Sequence, residues 1–162
     1  MNKTLTGGCQ CGSIRFATKL LGRSSICHCR MCQKAFGGLF APLVSSHDAK
    51  WTRGEPKWFE SSNVAKRAFC ADCGTPLAYH TRYGLELAVG AFDQPDAVAP
   101  IIQVNLSDKL KCFDQLSSLP IKDDQSNEWL DFMAGVHSLQ HPDHETENWT
   151  ANNTPVTNRD KK

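Results

Sequence analysis

Cys9-Gln10-Cys11, Cys27-His28-Cys29-Arg30-Met31-Cys32 and Cys70-Ala71-Asp72-Cys73 together hold seven of the chain's eight cysteines, and their spacing decides the fold. Thiolate ligands must converge on a metal at about 2.3 Å for zinc and sulfur, and a pair one or two residues apart on a tight turn brings two sulfurs to one point. Two such pairs make a closed cage of four thiolates. The triplet offers three sulfurs and leaves a fourth position open. Four ligands suit a structural ion, whereas three plus an open position suit chemistry. The pattern therefore predicts two zinc ions per chain, one at each kind of site, with the three-ligand site the more labile.

The competing reading of eight cysteines is a disulfide framework, for which an even count is also expected. Three features weigh against it. The N-terminal Met1-Asn2-Lys3-Thr4-Leu5-Thr6 has no apolar stretch to serve as a secretory signal. A Cys-x-Cys pair is too close to bridge to itself comfortably. At 162 residues the chain is also long enough to build a core without staples. Reduced thiols and the missing signal point to a cytoplasmic protein.

Composition narrows the function. A hydrophobic fraction of 40% fits a soluble globule, and no apolar run is long enough to span a membrane. The 18 basic and 17 acidic residues leave a net charge of +1, with no basic cluster, so there is no field for nucleic acid or anionic lipid.

Short strands separated by Gly, Pro and Asp turns dominate the first 120 residues. Ser13-Ile14-Arg15-Phe16-Ala17 alternates as a half-buried strand does. Gly7-Gly8 and Gly12 free the backbone for a knuckle around metal. Further strands are expected at residues 39–44, where Pro42 suggests an edge or bulge, and at 57–60, 65–69, 77–80, 85–89 and 101–105. Arg30 to Ala35 suits a helical turn or two behind the triplet. Between residues 126 and 139, Trp129, Phe132, Met133 and Val136 form an amphipathic helical stripe that Ser126 or Asn127 can cap. Such a stripe is expected to pack on the β core, with a homodimer contact as the alternative. From His141 the chain is polar and is expected to be a disordered tail. The organisation is thus a zinc-binding, mainly antiparallel β domain over residues 5–120, a helical extension over 121–140 and a tail over 141–162.

Gly7-Gly8-Cys9-Gln10-Cys11-Gly12 leading into Ile14-Arg15-Phe16 resembles the opening of the glutathione-dependent formaldehyde-activating enzyme family, whose relatives include centromere-protein-V-like proteins. Cys27-His28-Cys29-Arg30-Met31-Cys32-Gln33-Lys34, with Gly37-Gly38 after it, resembles that family's central motif. Arg67-Ala68-Phe69-Cys70-Ala71-Asp72-Cys73-Gly74-Thr75-Pro76-Leu77 resembles its third, and Gly90-Ala91-Phe92-Asp93-Gln94-Pro95 its closing turn. The likeness runs in order from about Leu5 to Pro120. Each piece alone is weak, but the combination is specific.

The resemblance implies a β-tent fold whose strands converge on a structural zinc held by Cys9, Cys11, Cys70 and Cys73. Cys27, Cys29 and Cys32 would hold a second, catalytic zinc. The implied activity is that of a carbon–sulfur lyase: the thiol of glutathione is activated by the zinc and attacks formaldehyde, giving S-hydroxymethylglutathione. His28, inside the triplet, is a candidate proton shuttle, although residues flanking ligands often point away. Lys34 and Arg67 could attract a glutathione carboxylate or be solvated charges. Asp93 reads as a turn residue rather than an acid catalyst. Cys112 stands where the family pattern has Trp, and three roles are open to it: fourth ligand, reactive thiol, or buried small hydrophobe, the commonest state of a free cysteine. Two other classes of function fit the same motifs. In one, both metals are structural and the domain is a binding module; in the other, the open triplet is a thiol redox sensor.

Overall fold

The computed structural model describes residues 3–122 and 126–150. Its strands are β1 (Leu5–Gly8), β2 (Arg15–Thr18), β3 (Leu21–Cys27), β4 (Ala41–Ser46), β5 (Lys50–Arg53), β6 (Lys57–Ser62), β7 (Ala65–Phe69), β8 (Pro76–Thr81), β9 (Gly84–Ala88) and β10 (Ile102–Val104). Helix α1 (Arg30–Phe36) follows β3, and α2 (Asn127–Ala134) lies near the C-terminus. A three-stranded sheet has the order β1-β2-β5 and a seven-stranded sheet the order β10-β3-β4-β9-β8-β7-β6. All the strand pairs are antiparallel except β10 with β3. The protein is mainly β, as the strand spacing predicts.

Side chains alternate between the faces of a strand, so residues in register across the large sheet share a face. One row, Ser24-Val44-Leu87-Ala78-Ala68-Trp58, runs along the core side. Val44, Leu87, Ala78 and Ala68 are buried there with Ile14, Phe16 and Phe92. Phe16, from the small sheet, meets Phe92 edge-on at 5.0 Å and Trp51 at 6.1 Å. The small sheet therefore caps the core face of the large one. The opposite face carries a different row, Ser45-Glu86-Tyr79-Arg67, with Cys27 and Leu43 beside it. That face is polar and opens to a cavity.

The seven strands expected from sequence all form, and β1, β3 and β5 add to them. β3 escapes the sequence pattern because of its cavity face: Arg23, Ser25 and Cys27 alternate with Ser24 and Ile26, which hides the hydrophobic period.

Two expectations for the C-terminal part are corrected. Helix α2 forms, with Ser126 Oγ accepting from Trp129 N at 3.2 Å, but none of its residues is buried. The core face is already capped by the small sheet, so the stripe lies exposed, with Trp129 and Phe132 tilted against each other at 5.4 Å. Residues 141–149, expected to be disordered, are instead strapped across the first cysteine turn. His141 is buried, its N–H bonds Gln10 O at 2.8 Å, and Trp149 Nε1 donates to Cys11 O at 2.8 Å. Arg53 bonds Gly12 O at 3.2 Å and Thr146 Oγ1 at 3.1 Å, and it also reaches Thr146 O. Glu145 accepts from Arg15 Nη2 at 2.9 Å. The strap is polar because what it covers is polar: two arginines and the free carbonyls of a turn. Low hydrophobicity here signals a hydrogen-bonded cover. The expected tail beyond residue 150 lies outside the described residues.

Arg15 and Asp93 anchor this end of the domain. Arg15 is 2% exposed and grips Asp93 in a fork at 2.8 and 2.5 Å, while Thr6 Oγ1 donates to the same carboxylate. Burial alone would raise the Asp93 pKa, but these bonds hold it below the ordinary carboxylate range. Asp93 is thus the counter-ion of a buried arginine rather than merely a turn residue.

Candidate functional site

All eight cysteines are free thiols, and seven of them gather into two groups. In each group the sulfurs lie within 4.8 Å of one another. Cys9, Cys11, Cys70 and Cys73 come from two turns of similar construction. Gly12 N bonds Cys9 O at 2.9 Å and Gly74 N bonds Cys70 O at 3.0 Å, with both glycines in the left-handed region at φ 75° and 77°. A side chain at Gly12 would also collide with His141 and Trp149, 2.4 Å from where its Cβ would lie. Tetrahedral coordination at 2.3 Å requires sulfurs about 3.8 Å apart. Cys9 and Cys11 stand at 3.4 Å, and Cys11 and Cys70 at 3.7 Å. The donor set fits a four-thiolate metal site.

Burial pushes the Cys9 and Cys70 thiols up. At Cys73 burial acts the same way, but bonds from Thr75 and Cys11 prevail and bring it to about 6. Four thiolates this close repel one another, so without a cation most must keep their protons. A divalent ion is the group that lets all four ionise.

The second group is Cys27, Cys29 and Cys32. Cys27 ends β3, and Cys29 caps α1, its sulfur accepting from Cys32 N at 3.4 Å. Gly37 closes the helix in the left-handed region, so the three sulfurs sit at the start of a short, doubly capped helix. Each sulfur is met by an N–H: Cys27 by Asn105 Nδ2 at 3.1 Å, Cys29 by the backbone of Cys32, and Cys32 by Arg67 Nη2 at 3.3 Å. The Cys27 thiol is brought down to about 5, first by its bond with Cys32 and, against burial, by Asn105. Cys32 is pushed up by the same partnership and by burial.

All three sulfur-bearing residues line a cavity of about 930 Å³ on the polar face of the large sheet, and none of the four-thiol group does. Its walls include Arg23, Arg67, Arg82 and His47, with Glu86 the one carboxylate among the lining residues. Burial raises the Glu86 pKa, Arg23 opposing it. Tyr79 lies beneath the Arg67 guanidinium at 4.8 Å.

The structure moves several sequence candidates away from this cavity. His28 does not line it; the ring is fully buried, Nε2 on Gln103 Oε1 at 2.9 Å, edge-on to Phe113 at 4.6 Å. Lys34 is exposed on α1 and is not among the lining residues. Cys112 is exposed and belongs to neither thiol group, which corrects its reading as a buried hydrophobe or a fourth ligand. The neighbouring Phe113 supplies the aromatic contact, on His28 and on Phe40 at 5.4 Å. Sequence reasoning missed Asn105, Glu86 and Tyr79. None of the three carries a local sequence signal; Asn105 stands at a positive φ of 57°, which asparagine tolerates better than most residues, but that conformation is set by the fold.

Fold and site together define a β protein with two thiol clusters that could hold metal, one set apart from the cavity and one lining it. The sequence matches the glutathione-dependent formaldehyde-activating enzyme family over residues 4–108, and the chain belongs to that family. No curated protein matches it. Among solved structures it is similar to a Rhodobacter sphaeroides protein, with 21% identity and a TM-score of 0.50 over 61% of this chain and 99% of that one. At that identity the likeness speaks for the fold alone. The strap at 141–149 lies beyond the residues matched to the family.

Proposed function

We propose that the protein is a zinc-dependent carbon–sulfur lyase of the S-(hydroxymethyl)glutathione synthase kind, working on glutathione or a related thiol and formaldehyde or another small aldehyde in the cytoplasm. The observation that carries the reading is the unequal setting of the two thiol groups, one lining a large cavity and the other not. Membership of the family supports it. Cys9, Cys11, Cys70 and Cys73 would hold a structural zinc, and Cys27, Cys29 and Cys32 a second. Bound there, zinc would supply an open position that stabilises a fourth thiol in its anionic form.

The chain's own residues supply the rest. Arg23 and Arg82 offer charge to substrate carboxylates. In the forward reaction the S–H bond breaks and an S–C bond forms to the carbonyl carbon. The proton released by sulfur is matched by one taken up at the carbonyl oxygen. Glu86, with its raised pKa, is the cavity group suited to hold and return that proton.

The test is direct. Glutathione should bind the zinc-loaded protein far more tightly than S-methylglutathione, which has no thiol proton to lose. Exchange NMR should show the hydroxymethyl adduct forming faster than the spontaneous reaction, and Cys29→Ala should remove the gain. Thiol-dependent binding without acceleration would replace the lyase by a thiol-binding or redox role. Neither binding nor acceleration would leave a metal-stapled binding module.

A further inference from the structure

Arg67 is the least satisfied charge among the described residues. It is 8% exposed, and its Nε and Nη1 have no hydrogen-bond partner. No carboxylate pairs with it; the ion pairs among the described residues belong to Arg15 and Lys109. Arg15, comparably buried, has two carboxylates. Arg67 has one polar contact, Nη2 to Cys32 Sγ at 3.3 Å, and one packing contact, the Tyr79 ring at 4.8 Å. A buried guanidinium with no anion is strongly unfavourable. The one group in hydrogen-bond contact with it that can carry negative charge is the Cys32 sulfur.

The two thiol groups differ in this respect. Around Cys9, Cys11 and Cys73 the hydrogen-bond partners are neutral: Ile14 N on Cys9, Ser13 with Cys11, Thr75 with Cys73. Among the described residues, only the three-thiol group has a cation hydrogen-bonded to it. A divalent ion on three thiolates carries a net charge of −1, which Arg67 brings to zero. A fourth thiolate then takes the centre to −1. Without Arg67 the same ligand would take it to −2 in a partly desolvated pocket, whereas a neutral fourth ligand would add nothing.

We propose that Arg67 is the counter-charge of the three-cysteine metal centre and makes it prefer an anionic thiolate to a neutral donor as fourth ligand. This rests on the metal assignment made above. Arg67 acts through Cys32 and is a positioning residue.

The experiment uses full-length protein loaded with Co²⁺ and reads the visible ligand-field spectrum during titration with 2-mercaptoethanol and, separately, with imidazole. Neither probe carries a carboxylate, so a direct Arg67–carboxylate contact does not enter. Arg67→Gln should weaken mercaptoethanol binding about tenfold or more, within the range of buried charge couplings, and imidazole binding less than about threefold. Arg67→Lys should restore most of the preference. Equal losses for both ligands, or no change for either, would overturn the proposal. If Arg67→Gln does not fold, Arg67→Lys decides alone: it should keep the parent ligand ratio within about threefold, and a tenfold shift would overturn the idea. A parent protein that binds no Co²⁺ at the triplet would fail the metal assignment itself. Metal bound with a ligand preference indifferent to Arg67 would fail only this inference.

Discussion

Replacing Asp93 with alanine should destabilise the domain by about 3 kcal/mol. Breaking a buried ion pair from one side costs about 3–5 kcal/mol, because the remaining charge stays buried without its partner. Arg15 would keep Glu145, whose side chain is 44% exposed and compensates weakly, which places the estimate at the lower end. For a domain with about 5–15 kcal/mol of total stability this is a large share, and it corresponds to a fall in Tm of roughly 10 °C. The comparison should use reduced protein at one fixed zinc concentration, since bound metal adds its own stabilisation. Glu145→Ala, by contrast, should lose less than about 1 kcal/mol. Acid provides a second reading. The Asp93 pKa is depressed in the folded state, so its contribution is complete above the ordinary carboxylate value of about 3.9 and is lost as pH falls through the folded-state value. Asp93→Asn should therefore flatten the acid limb of the stability curve. If Asp93→Ala melts no lower than Glu145→Ala, or the acid limb of Asp93→Asn matches the parent's, the Arg15–Asp93 pair does not carry the load assigned to it.

Further consequences follow from the two thiol groups and the strap. Purified under reducing conditions, the protein should carry about two zinc ions, and a chelator should strip one well before the other; loss of both together would deny distinct sites. Cys70→Ala should unfold or severely destabilise the domain, because it opens the group that joins the N-terminal turn to the β7–β8 turn, while Cys29→Ala should fold and lack the second metal, as circular dichroism and metal analysis would show. Trp149→Ala removes the bond to Cys11 O and should cost about 1–2 kcal/mol, hastening metal release from the four-cysteine group and not from the triplet. Glu86→Gln should slow adduct formation about 100-fold with metal content unchanged, the scale of a lost proton-transfer group; an unaltered rate would remove Glu86 from the chemistry.

Most of the strands and both cysteine groups can be read in the chain because their determinants are local. A Cys-x-Cys or Cys-x-x-Cys spacing is a statement about one turn, and apolar alternation is a statement about one strand. Reading failed where a residue's meaning depends on what folds against it. β3 was hidden because its cavity face is polar, which no neighbour in sequence explains. The helix at 127–134 looked like core because its stripe is apolar, yet the surface it would have covered is already occupied by the small sheet.

By itself, then, the sequence determined which cysteines form close pairs, that the domain is mainly β, and that one cysteine group has four members and the other three. The tertiary structure decided what surrounds those sulfurs. Cys32 meets Arg67 across 35 residues, Cys27 meets Asn105 across 78, and Arg15 meets Glu145 across 130. These contacts depend on strand register and on the path of the C-terminal strap. A buried charge is tolerated only where the fold delivers its counter-ion, and that delivery is a property of the assembled chain, invisible in any short segment of it.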